Sequence, residues 1–214
     1  GSRITRELKW NDEQCVDEQT DDDRRDAHHD VDITQKIAEI TSGDILFLIS
    51  CSEIMTAKDR AKYSACLVLH ASDLPEGRGW SPHIWALEQG AESITLSLIE
   101  AQDKIDTGKI WKKLKVAISQ SALWDEINHL IFTAELFLMD YAVKQFNSVE
   151  PQDQSSHITP TYYPRRTPKN SQLDPHKTII EQFNLMRLCD PNRFPAYFEY
   201  LGHRYKLKLE KFDE

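Results

Sequence analysis

Cysteine is scarce in this chain. Only Cys15, Cys51, Cys66 and Cys189 occur among 214 residues, with no Cys-x-x-Cys pair and no zinc-like set with nearby histidines. That argues against a disulfide-stapled scaffold; free thiols in a reducing cytoplasm are the simplest account. No apolar stretch near the N-terminus has the form of a signal peptide. None approaches the roughly 20 residues of a membrane span, so no membrane partner is expected. Basic residues are in deficit too: 26 Lys and Arg stand against 35 Asp and Glu, for a net charge of −9. The bases are scattered, and a protein gripping a phosphate backbone normally gathers them on one face, so a nucleic-acid partner is disfavoured. Internal repeats are absent, which removes the solenoid architectures.

What is present suits a globular enzyme of one domain, or one domain with a small appendage. Residues 1–42 are atypical. Within them Asp12–Asp30 is crowded with charge and has no apolar period, as in a solvated or disordered segment. His28-His29 lies among aspartates without metal-specific spacing, so no metal is expected. Either Arg3–Leu8 supplies a weak edge strand, or part of the usual N-terminal region is missing. Residues 43–147 read as the core. Asp44–Ser50 and Cys66–His70 are apolar runs typical of buried parallel strands, and Ser93–Ala101 and Lys109–Ile118 are further strands. Pro82–Glu88 follows Ser81 as a short helix. A long amphipathic helix runs from a Ser121 cap to about Phe146, with Leu123, Ile127, Leu130, Ile131, Ala134, Leu138 and Tyr141 along its apolar stripe. In residues 148–214 a polar loop leads to a helix opening at Asp174-Pro175 and a hairpin, Tyr197–Tyr200 with Tyr205–Leu209. Strands alternating with helices predict an α/β fold, an open, mostly parallel sheet flanked by helices with a C-terminal helix and hairpin.

Two loops carry the chemistry. In Leu67–Pro82, LVLHASDLPEGRGWSP, an apolar strand ends on His70 and passes through a Leu-Pro turn to an Arg-Gly pair. One helix and one strand later comes Asp103–Ile110, DKIDTGKI. In open α/β sheets ligands gather at the carboxyl ends of strands, where His70 falls. A strand-end imidazole with a carboxylate loop two elements downstream is a candidate general base with an orienting acid.

HASDLPEGRG resembles the His-x-Ser-x-Leu-Pro loop of the folate-dependent formyltransferases, and DKIDTGKI resembles their Asp-x-Gly loop. TYYPRRTP (Thr161–Pro168) and the C-terminal FPAYFEYLGHRYKLKL extend the likeness, which covers roughly Gly43 to the end. The chain is similar to the catalytic domain of methionyl-tRNA formyltransferase, and most similar to the bacterial nucleotide-sugar N-formyltransferases. The resemblance implies a Rossmann-like sheet, with His70 as catalytic base and Asp106 as the carboxylate that orients it. It implies a 10-formyltetrahydrofolate cofactor bordered by Cys51, Ser52, Glu53 and Ile54 on one side and Gln102, Asp103, Lys104 and Ile105 on the other. Ser72, Asp73, Leu74 and Pro75 would line the passage towards the acceptor. Arg78, Gly79, Trp80, Tyr162, Tyr163, Arg165 and Arg166 would meet the acceptor, since aromatic faces and guanidinium forks suit a base and a diphosphate.

The chain departs from the family at one position. An Asn normally precedes the histidine by two residues and helps hold the oxyanion; here Val68 stands there, and losing one such donor typically costs about 10²–10³ in rate. The expected reaction is formyl transfer to the amine of a nucleotide-linked amino-deoxysugar for surface polysaccharide. A tRNA acceptor would imply a further C-terminal domain of roughly a hundred residues, where this chain ends in a short hairpin. That hairpin's Tyr/Lys face is a candidate homodimer surface. The alternatives are an enzyme acting on another amine and a folate- or nucleotide-binding homologue without turnover.

Overall fold

The computed structural model describes residues 3–8 and 29–212. Cys15, His28 and most of the acidic stretch lie outside them. Strands β1 (Arg3–Leu8), β2 (Asp30–Thr34), β3 (Gly43–Ile49) and β4 (Tyr63–His70) come first, with a one-turn helix α1 (Ala57–Arg60) before β4. The short strand β5 (Arg78–Gly79), helix α2 (Pro82–Glu88), strands β6 (Ser93–Glu100) and β7 (Ile110–Ala117) and the long helix α3 (Trp124–Gln145) follow. The chain closes with β8 (Tyr162–Tyr163), helix α4 (Ile179–Arg187) and the hairpin β9 (Ala196–Tyr200) and β10 (His203–Leu207). This is the α/β open sheet that the alternation of apolar runs predicts.

The main sheet has the order β2-β1-β3-β4-β6-β7. Pairing is parallel from β2 to β4, and antiparallel between β4 and β6. Arg3–Leu8 is a strand, as one expectation had it, but not at an edge. It is laddered on both sides, Ile4 opposite Val31 and Ile45. Two complete hydrogen-bond ladders outweigh a composition that reads as a weak strand former. The edge is β2, where Ile33 is 48% exposed. Its alternating Val31 and Ile33 went unread beside the acidic run.

Compact packing divides the chain into two units that interleave in sequence. The first holds residues up to His70, Ser97–Lys113 and Leu138–Ser156; the second holds Ala71–Leu96, Leu114–Phe137 and His157 onward. In the first, Ile40, Leu46, Leu48, Met55, Tyr63 and Cys66 form an apolar cluster with Val68 packed against it. In the second, Leu173, Met186, Cys189 and Ala196 make another, covered by Phe183 and Phe198.

Helix boundaries follow the capping chemistry. The long helix starts after Leu123, whose N–H donates to the Glu126 carboxylate at 2.7 Å, rather than at Ser121. Leu130, expected in its buried stripe, lies at the rim, 37% exposed. Helix α4 opens at Thr178, not at Asp174-Pro175. A Thr178/Glu181 capping box satisfies two N-terminal donors together, while Asp174 accepts from the His176 N–H at 2.9 Å in the preceding turn. At the hairpin tip Leu201 and Gly202 both have positive φ, the twist a two-residue hairpin turn needs.

Candidate active site

In the first unit His70 ends β4 with its ring buried, and its Nδ1 lies 3.4 Å from Oδ1 of Asp106. Both side chains are under a tenth exposed. The pair forms because β6 runs antiparallel beside β4, with Ser97 opposite His70 and Glu100 opposite Leu67. The chain then loops through 101–109 and returns as β7. At the return the Glu100 N–H donates to the Lys109 carbonyl at 2.9 Å. This crossing requires Gly108, since a Cβ there would overlap the Glu100 carbonyl. Asp106 itself takes a left-handed conformation, φ 57°. Strain of that kind in a non-glycine residue persists only where the surroundings hold it, and such positions cluster at functional sites.

The loops after β3 and β6 are tied together by Arg60. Its Nη1 donates to the Met55 carbonyl at 2.8 Å and its Nη2 pairs with the Asp103 carboxylate. Cys51 is half-buried, with Sγ 3.3 Å from the Glu53 carbonyl; Ser52, Glu53 and Ile54 are exposed. Gln102, Asp103, Lys104 and Ile105 are exposed as well. Ile54 and Ile105 are 69% and 54% exposed, apolar side chains presented to solvent on the two loops that Arg60 links. Burial pushes the Cys66 thiol up to about 11, which disfavours a thiolate at that position.

In the second unit the loop after His70 is held internally. Ser72 Oγ donates to the Glu76 carbonyl at 2.8 Å, Leu74 and Pro75 are buried across a cis peptide bond, and Asp73 is exposed. Arg78 and Gly79 then pair with Tyr162 and Tyr163 as the parallel β5–β8 ladder. Gly79 is required there, because a Cβ would strike the Tyr163 carbonyl. Arg78 is buried, with Nη1 3.1 Å from the Tyr162 hydroxyl.

The two neighbouring arginines have different surroundings. Arg166 lies over the Trp85 ring at 4.7 Å, pairs with Glu88 at 2.5 Å and donates to the Asn170 carbonyl at 3.0 Å. Trp85 also stacks on Tyr163 and donates to the Pro164 carbonyl. Arg165 is exposed, its guanidinium 4.9 Å above the half-exposed ring of Trp80. All seven residues expected on the acceptor side thus gather along β5 and β8. Arg60 and Gln154, which hold the Asp106 loop, were missed; each sits in a polar segment without any motif. Among the described residues no group of His, Cys, Asp and Glu is arranged to hold a metal, and no helix is long and apolar enough to cross a membrane.

A strand-end imidazole 3.4 Å from a buried carboxylate on an α/β open sheet is an arrangement able to accept and return a proton. The formyl transferase family model matches residues 8–139, and the chain belongs to that family. It is 28% identical to the methionyl-tRNA formyltransferase of Clostridium beijerinckii over 184 residues, 83% of this chain and 58% of the relative. The chain therefore spans somewhat over half the length of that relative. Its fold matches the methionyl-tRNA formyltransferase of Clostridium thermocellum with a TM-score of 0.77 at 21% identity, covering 99% of this chain and 92% of that one. A sugar N-formyltransferase from a Shewanella species matches with a TM-score of 0.71 at 15% identity, covering 99% and 98%.

Proposed function

We propose that this protein transfers a formyl group from 10-formyltetrahydrofolate to the amine of a nucleotide-linked amino-deoxysugar. The observation that carries the reading is the buried His70–Asp106 pair at the end of β4. The loops at 51–54 and 102–105 suit a flat folate ring, since they present exposed residues, Ile54 and Ile105 among them, and are linked by Arg60. When bound, the folate supplies the one-carbon unit. His70 accepts the proton of the attacking amine and returns one to the departing nitrogen, while Asp106 holds the ring through Nδ1 and stabilises its charged form. The amino-sugar acceptor is supported by exposed Arg165 on Trp80 and exposed Tyr162, groups suited to a diphosphate and a base, and by the net charge of −9. The C-terminal hairpin is the surface proposed for a homodimer.

Val68 supports a second reading, a folate- or nucleotide-binding homologue without turnover, because no amide stands at the position of the family Asn. One assay separates them: tetrahydrofolate release from 10-formyltetrahydrofolate, measured with a panel of nucleotide-linked amino sugars, with formyl-accepting aminoacyl-tRNA, and with no acceptor. The expected result is release that depends on an amino sugar and falls about 10²–10⁴-fold in His70→Asn with the melting temperature unchanged. Binding of folate without release under any condition would establish the second reading. His70→Asn turnover above a tenth of wild type would remove the imidazole from the mechanism.

A further inference from the structure

The left-handed turn at Asp106 needs something to hold it, and the support comes from beyond the long helix. Residues 150–154 run alongside the loop. The Ile110 N–H donates to the Gln152 carbonyl at 2.7 Å and the Gln152 N–H donates back at 2.9 Å. Two residues further on, the side-chain amide of half-buried Gln154 reaches the loop. Its Nε2 donates to the Asp106 carbonyl at 2.8 Å and to the Gly108 carbonyl at 3.0 Å. One NH₂ group thus bridges the carbonyls on either side of Thr107. Inside the loop the Thr107 hydroxyl donates to the Lys104 carbonyl at 2.7 Å, so the turn is closed from both directions.

We propose that Gln154 is a positioning residue for Asp106: by pinning both carbonyls it fixes the turn that presents the carboxylate to His70 Nδ1. The separation of 3.4 Å leaves little slack, since a small drift of the turn carries the carboxylate out of hydrogen-bond reach. Both Gln154 donors are needed. A single bond lets the Asp106 peptide rotate about it, whereas two acceptors flanking one residue fix the plane of the turn. A shorter amide cannot span both carbonyls, and a carboxylate at the same place would repel them. The inference rests on the catalytic reading of His70 and Asp106, but its first test does not.

That test uses the ¹⁵N-resolved imidazole spectrum of His70 without any ligand, assigned by its disappearance in His70→Asn. An ordered Asp106 carboxylate holds the proton on Nδ1. Gln154→Met, isosteric and without donors, is expected to move the His70 ring nitrogens at least about halfway towards their positions in Asp106→Asn, while the remaining spectrum stays native. Unmoved His70 signals in a folded Gln154→Met protein would overturn the proposal. Where that variant fails to fold, Gln154→Asn, one methylene shorter, is read the same way. The second test is kinetic. Gln154→Met is expected to lower kcat about 10²-fold with KM nearly unchanged, and to cost nothing further in an Asp106→Asn background. An equal loss in both backgrounds would mark Gln154 as acting independently of Asp106 and refute the assignment. A protein without formyl transfer leaves the spectral result standing, so the two readings fail separately.

Discussion

Replacing Val68 by Asn restores the family's side chain and separates two accounts of this site. If catalysis here merely lacks an oxyanion donor, the substitution should raise the rate. The packing predicts the opposite. Val68 pairs with Leu48 across the β3–β4 ladder and packs on the cluster of Ile40, Leu46, Leu48, Met55, Tyr63 and Cys66. Removing its partly buried methyls forfeits about 1 kcal/mol of apolar burial. Seating an amide against that cluster without partners costs about 1–3 kcal/mol more. The sum, roughly 2–4 kcal/mol, is a large part of the 5–15 kcal/mol typical of a domain and corresponds to about 5–15 °C in melting temperature at this size. Thermal and urea melts of Val68→Asn and Val68→Ala should both show destabilisation, with Asn the worse. Turnover of Val68→Asn at a temperature where it remains folded should be unchanged or lower. A tenfold or greater rate increase with an unchanged melting temperature would show that the amide finds partners and points into the site, refuting the packing argument.

The adjacent arginines should part company on substitution. Arg165→Ala should weaken binding of a nucleotide-linked sugar about tenfold or more, the worth of one charge-assisted bond, and leave the melting temperature alone. Arg166→Ala should lower the melting temperature by stranding Glu88 and unstacking Trp85. Unchanged affinity in Arg165→Ala would remove the diphosphate contact from the proposal. Glu135 gives a pH prediction: burial raises its carboxyl from the ordinary 4.5 to about 8. Between those values the native state keeps a proton that the unfolded chain has released, so stability is full below pH 4.5 and falls as pH rises towards 8, by up to roughly 1.4 kcal/mol per unit. Glu135→Gln should flatten that slope in melts run across the range, and an unaltered slope would place the titration elsewhere.

The fold and the His70–Asp106 pair were legible because their signals are local. An apolar run of strand length, a Leu-Pro turn and an Asp-x-Gly loop each declare themselves within a few residues. Gly79 and Gly108 were legible as motif letters, but their reasons lie in backbone crossings at Tyr163 and Glu100 that no local pattern encodes. The placement of Arg3–Leu8 was not legible either. Whether a strand lies at the edge or within a sheet depends on the partners it finds, here two strands that both follow the acidic run, one starting at its last residue and one further on.

What stayed invisible was the support of the site. Arg60 meets a carboxylate 43 residues away, and Gln154 meets carbonyls 48 and 46 residues back. Both acceptors of Gln154 are main-chain carbonyls, as is the second partner of Arg60, Met55, and every residue type has one. A carbonyl acceptor leaves no mark in the sequence of the loop it stabilises, so only the donor's identity is available to be read. One arginine among 26 basic residues, or one glutamine in a polar loop, carries no such signal alone. Side chains that do chemistry on a small molecule are constrained in type and spacing by the reaction. Those that hold the backbone are constrained only by geometry, and any donor of the right reach would serve. The Arg165–Arg166 pair shows the same division in two consecutive letters. Identical residues differ in role because one faces Glu88 and Asn170 while the other is left exposed over Trp80.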